Sequence, residues 1–204
     1  VTSSTYCQSS AVSEKFAQID SNNRYHWRMN RRRLEAEALR DAILAVSGAL
    51  NNQIGGPGFY LFKLEKTAHS PHYEYHKFDP ADPKSHRRSV YRFIARSQPN
   101  PFMTTLDCAD SSQSTPKRDE TLTALQALSL LNNKFTLHMA NRFASRIEKE
   151  SKTLRGQIRR AHQLTTGHPP TAKDMAMLEK YAQKHGLPNL CRVLFNLSEF
   201  TYLD

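Results

Sequence analysis

No apolar run in the 204 residues approaches the roughly 18 positions that a membrane-spanning helix needs. No helical membrane span is therefore expected. Cysteine is scarce: Cys7, Cys108 and Cys191 stand far apart. Neither C-x-x-C nor C-x-x-C-H occurs, which argues against a zinc knuckle or a covalent haem site within the chain. Three buried thiols are expected, with one disulfide and a free thiol as the alternative. Catalytic signatures are also missing: there is no G-x-S-x-G, no H-E-x-x-H and no P-loop. Val1–Ser10 has neither the basic start nor the apolar core of a signal peptide. It reads as the end of a helix cut within a domain. The chain is therefore expected to be the C-terminal fragment of a longer multidomain protein.

Positive charge is what the sequence has in excess. Lys and Arg number 29 against 19 Asp and Glu, a formal net charge of +10. Such a surplus favours polyanionic partners: nucleic acid, anionic polysaccharide or an acidic neighbouring domain. No helix-turn-helix, zinc-finger or RNP pattern accompanies it, so nucleic acid is the least supported of the three. The length suits a single domain over residues 1–204, with 1–120 and 121–204 as conceivable sub-lobes.

Hydrophobic period places the elements. Residues 13–19 are weakly helical and 20–23 form a turn. Leu34, Leu39, Ala42, Ile43, Val46, Ala49 and Leu50 make one helical stripe. Asn30 is its expected N-cap, and Gly55-Gly56-Pro57-Gly58 forbids its continuation. Residues 59–86 read as irregular. Arg87–Arg96 reads as a strand with Tyr91, Phe93 and Ala95 on one face, and Phe102–Leu106 as its partner. The alternative is a helix aligning Arg88, Arg92 and Arg96. Thr123-x-x-Gln126 is a capping box. Asn133 can cap the next helix, in which Phe135, Met139, Phe143 and Ile147 recur every four residues. Leu154–Thr166 is a helix ending at Gly167. Thr171-x-x-Asp174 caps another, and Asn189 a last one. The fold class is mainly α: a helical domain with a small β element, a short hairpin around residues 88–106.

Arg31, Arg32 and Arg33 stand at the expected start of the first long helix. There the macrodipole disfavours each exposed cation by about 0.3–1 kcal/mol. Two arrangements offset this. In the first, Arg33 reaches Glu37 and Arg31 reaches Glu35. Glu35, Glu37, Asp41, Asp107 and Asp110 then join Arg87, Arg88 and Arg118 in a partly buried ion-pair network. In the second, Arg31, Arg32, Arg33, Arg87, Arg88 and Arg118 hold an external anion or an acidic partner. The internal network is the leading expectation. Glu37 and Asp41 share a helix face beside arginines that hold both ionised, which suits structure better than acid catalysis.

His69, His72 and His76, with Glu74, Asp79, Asp82 and His86 nearby, are candidate metal ligands. An exposed polar and aromatic loop is the leading expectation for this segment. His72, Tyr73, Tyr75 and His76 equally suit a stacking surface for sugar rings or bases.

Several segments carry a likeness: TSSTYCQSS, RMNRRRLEAEALRDAILAVSGALNNQIGGPG, HRRSVYRFIARSQPNPFMTTLDCAD, ETLTALQALSLLNNKF, GHPPTAKD and NLSEFTYLD. Together they resemble the C-terminal domain of unknown function in large planctomycete-type proteins, which often carry cytochrome c-like domains upstream. The likeness implies a secreted or cell-envelope protein, extracytoplasmic, with haem c in an upstream domain and no cofactor in this chain. It also suggests a setting of haem-linked redox chemistry and polysaccharide breakdown. It implies no established activity and brings no catalytic residues. Ala124 stands where many members have proline; the cap survives the change.

The expected function is a non-catalytic scaffold or binding domain. Its basic face would contact an acidic partner domain, the upstream domains of the same protein, or anionic polysaccharide. The alternative is part of a redox or hydrolytic enzyme whose active site is shared with upstream domains.

Overall fold

A computed structural model describes residues 2–66 and 70–203. In chain order the elements are α1 (Glu14–Ile19), β1 (Arg32–Arg33), α2 (Ala36–Val46), β2 (Lys63–Lys66), β3 (Pro71–Glu74), α3 (Pro101–Thr105), α4 (Ala124–Asn132), α5 (Lys134–Glu150), α6 (Leu154–Thr166), α7 (Ala172–His185), α8 (Leu187–Leu194), α9 (Ser198–Thr201) and β4 (Tyr202–Leu203). Short 3-10 turns occur at Tyr75–Lys77, Pro83–His86 and Ser89–Tyr91. The molecule is mainly α with two small antiparallel sheets among the described residues, β1–β4 and β2–β3.

Helix α5 is the axis of the core. Asn133 starts it by accepting a hydrogen bond from the Phe135 N–H at 2.9 Å. Phe135, Met139, Phe143 and Ile147 fall on one stripe, widened by Ala140 and Ala144, and all six are buried. Against this stripe lie α8 and α2. Phe195, just beyond α8, stacks on Phe143 with ring centroids 5.7 Å apart. Leu39 and Ile43 of α2 belong to the same buried cluster. Each such side chain contributes roughly 1.5–3 kcal/mol on leaving water.

The local caps follow the sequence. Thr123 and Gln126 form the reciprocal capping box. Thr171 accepts from the Asp174 N–H, and Gly167 closes α6 at φ 82°. Asn189 does not cap α8. Gly186 holds the N-cap position, Pro188 lies in the first turn, and the Asn189 amide donates to the His185 carbonyl at 2.7 Å.

The small β element is present, but not around 88–106. The hairpin is β2–β3, pairing Lys63 with Glu74 and Leu64 with Tyr73, in a stretch expected to be irregular. Ser89–Tyr91 is instead a 3-10 turn, because the Asp41 carboxylate takes both the Ser89 N–H and its hydroxyl. Pro99 and Pro101 lack the N–H groups that a strand partner needs. Asn100-Pro101 supplies an N-cap and a first helical residue, so the segment becomes α3. The Arg87–Arg96 backbone keeps only two isolated bridges among the described residues, Arg87 to Asn51 and Arg92 to Phe59.

The first long helix also starts later than expected. Glu35, not Asn30, occupies the N-cap position of α2. Arg32 and Arg33 are extended and pair with Leu203 and Tyr202. The three arginines therefore precede the helix rather than opening it, which removes most of the dipole penalty, since that effect decays beyond the terminal turn.

Candidate functional site

The predicted arginine and carboxylate residues fall into separate centres. Arg33, placed by β1, donates from Nη2 to Asp107 Oδ2 at 2.5 Å and to the Leu106 carbonyl at 3.2 Å. Asp107 sits at φ 59°, where the chain turns back after α3. Its carboxylate also accepts from the Thr121 N–H, the Thr121 hydroxyl and the Gln126 amide. Burial pushes this carboxyl up, but Thr121, Arg33 and Gln126 outweigh it and hold it below its ordinary value.

Arg118 forms the second centre. It lies 3.2 Å from Glu37 and 3.8 Å from Glu35. The Cys108 thiol donates to Glu37 at 3.2 Å. Burial raises the Glu37 carboxyl, yet its own backbone N–H, Cys108 and Arg118 bring it below the usual carboxylate range. Arg33 and Glu37 therefore do not form the expected i,i+4 pair. Arg32 meets Glu120 at 3.7 Å and Arg88 meets Asp41 at 3.9 Å, both through largely exposed arginine side chains. Arg31 is exposed.

Two members leave the expected network. Among the described residues Asp110 accepts from the Ser112 N–H and hydroxyl, a local turn that needs no cation. Arg87 is buried and donates to the carbonyls of Gln53, Gly55 and Pro57, with its guanidinium 4.2 Å above the Tyr91 ring. Its fork fastens the Gly55–Gly58 turn and is not open to an anion.

Arg40 is a centre that sequence reasoning missed. It is 1% exposed. It donates to the carbonyls of Ser85 and Arg87 and to the Ser89 hydroxyl, between the rings of Phe59 and Phe135 at 5.1 and 5.3 Å. Burial draws its pKa down to about 10, with Asp41 opposing. The signal was present: Ala36, Leu39, Arg40, Ile43 and Leu44 share one buried helical face.

Arg87 lines an open cleft of about 730 Å³, and Arg40 fastens the backbone of Ser85 and Arg87 at its edge. The cleft runs between the Gly55–Gly58 turn and residues 77–85. Phe59, Tyr60, Phe62 and Phe78 supply apolar wall, and Lys63, Lys77 and Lys84 supply cations. The wall belongs to an aromatic cluster in which Phe62 meets Tyr73 at 4.9 Å, Tyr75 at 5.5 Å and Tyr60 at 5.2 Å. Tyr60 remains 54% exposed. Asp79 and Asp82 also line the cleft, each accepting from a backbone N–H of its own turn. Lys77 pairs with Glu65 at 2.6 Å.

The histidines are not gathered. His72 and His76 are exposed, and His76 approaches Glu74 at 3.1 Å. His86 is buried against the Pro80 carbonyl. His69 lies outside the described residues. Among the described residues no three His, Cys, Asp or Glu side chains come together as a metal site.

Fold and cleft define a mainly α domain in which a β hairpin and a glycine turn frame an aromatic, lysine-bearing groove. A family model described as a protein of unknown function (DUF1553), PSD1, matches residues 1–182, and the chain belongs to that family. No curated protein and no solved structure matches the chain.

Proposed function

We propose that the chain is a non-catalytic binding domain of a cell-envelope protein, and that its groove holds an anionic polysaccharide. The observation that carries this reading is the cleft itself: Tyr60 offers an exposed ring, Phe62 and Phe78 supply apolar wall, and Lys63 and Lys84 line the same cleft. Sugar rings stack on aromatic faces, and carboxylate or sulfate groups meet the ammonium groups. An exposed lysine pair is worth only about 0.2–1 kcal/mol, so a polymer that repeats its contacts suits the groove better than a single sugar. The net charge of +10 raises the local concentration of such a polymer before contact. The extracytoplasmic setting and the planctomycete-type, cytochrome c-associated context belong to the same proposal. They rest on the family likeness.

The test is binding of the chain to sulfated, carboxylated and neutral polysaccharides across a salt series. Binding to the charged polymers that weakens with salt is expected. Tyr60→Ala and Lys63→Gln should each weaken it three- to tenfold. Absence of binding to every polyanion at low salt overturns the reading. Binding confined to acidic proteins would replace the glycan with an acidic partner domain.

A further inference from the structure

A second cleft, of about 310 Å³, shares no lining residue with the first. Arg92 and Arg96 line it together with Asn100, Thr104, Cys108 and Ser112. The arginines of the centres described above are committed. Arg33 has Asp107, Arg118 has Glu35 and Glu37, and Arg40 and Arg87 serve backbone carbonyls. Arg92 has no ion pair among the described residues. Its Nη2 donates to the Cys108 sulfur at 3.4 Å, a weak acceptor, and its Nε–H is buried without a partner.

Cys108 cannot neutralise this charge. The thiol gives its own proton to Glu37, and burial beside that carboxylate pushes it up to about 11. Arg92 is also within reach of a like charge: its field opposes the protonated form of Arg40. A half-buried guanidinium without an ion pair among the described residues thus lines a cavity of mixed polar and apolar character, and a second arginine, Arg96, lines it too. Asp110 also lines the cleft, at an exposed position, with an oxygen occupied by Ser112.

We propose that this cleft binds a small molecule through an oxyanion group, held by the Arg92 fork and by Arg96. Arginine presents paired N–H donors that match two oxygens of a carboxylate, sulfate or phosphate. The proposal is independent of the polysaccharide reading.

The experiment is a thermal-shift and calorimetric titration of the chain with sodium sulfate, sodium phosphate and sodium acetate. Sodium chloride at matched ionic strength is the reference. At least one of the three should raise the melting temperature saturably above chloride, and which one does so identifies the oxyanion. Arg92→Gln should weaken the apparent Kd at least tenfold, and Arg96→Gln three- to tenfold. Arg92→Lys keeps the charge but loses the fork, and should also weaken binding at least fivefold. Lys63→Gln, in the other cleft, should leave it unchanged. Shifts equal to those in chloride overturn the proposal. So does binding that survives both Arg92→Lys and Arg96→Gln. Should Arg92→Gln fail to fold, the exposed Arg96 and the charge-retaining lysine variant still decide.

Discussion

Arg33 and Asp107 meet at 2.5 Å although they stand 74 positions apart in the chain. Both side chains are nearly buried, at 9% and 13% exposure. Asp107→Asn keeps a residue that tolerates positive φ, so its effect isolates the charge. A loss of about 1.5–3 kcal/mol is expected in urea unfolding. Asp107→Ala should cost about 1–2 kcal/mol more, from the left-handed backbone.

The same carboxylate predicts the acid limb of stability. Asp107 and Glu37 are both held below their ordinary values of 3.8 and 4.5. A depressed carboxyl stabilises the fold above its unfolded value, and that contribution disappears as pH falls through the folded value. Unfolding midpoints should therefore drop between about pH 5 and pH 2. Asp107→Asn should flatten part of the drop. A flat wild-type profile over this range would contradict the assignment.

Arg40→Met should be among the most damaging substitutions. Methionine fills much of the volume but leaves the Ser85 and Arg87 carbonyls without their donor and Asp41 with only the exposed Arg88 as a cation. A loss of about 3–5 kcal/mol is expected. Arg40→Lys should rescue less than half, because one ammonium group cannot span the fork between two stretches of backbone. Equilibrium denaturation of the two variants, side by side, measures this.

The three thiols should differ in reactivity. Cys7 is exposed, Cys108 partly buried and Cys191 buried, and none is in a disulfide. The expectation of three buried thiols therefore fails at Cys7 and holds only in part at Cys108. Thiolate forms at Cys108 only toward pH 11, and burial raises Cys191 as well. Alkylation at pH 8 followed by mass spectrometry should label Cys7 first. Cys108 should follow slowly, and Cys191 only on unfolding. Equal rates for Cys7 and Cys108 would contradict the burial argument.

Gly58→Ala tests the cleft wall. A Cβ there would lie 2.9 Å from the Tyr91 carbonyl oxygen, which already accepts from the Phe59 N–H at 3.1 Å. Relieving that clash separates the two backbones that carry Phe59 and Arg92. A cost of about 1–3 kcal/mol is expected, with weakened polysaccharide binding. Gly55 and Gly56 meet nothing within 4 Å, so replacements there should strain only their positive φ.

What could be read in advance was local. The Thr123–Gln126 box and the Phe135–Ile147 stripe depend on residues three or four apart, and both stand in the structure. The hairpin was misplaced because its rival was decided at long range. Asp41, 48 positions away, withdrew the Ser89 N–H from any strand partner. Arg33 likewise ignored nearby Glu37 for Asp107, whose carboxylate was already held by Thr121 and Gln126. Tyr73 and Tyr75 were expected to offer a stacking surface. That Phe62 would pack against both, beside Tyr60, depended on the turn that Arg87 fastens.

The pairing of Arg32–Arg33 with Tyr202–Leu203 has a kinetic consequence. It joins strands at nearly opposite ends of the described chain. Its two residues per strand yield few contacts against the loop-closure entropy of everything between them. The helices from α4 to α8 pack each on the next, with α8 folding back on α5, and can assemble without it. The strand pair should therefore close last in folding and open first in native-state hydrogen exchange, a latch on a helical body that is already formed.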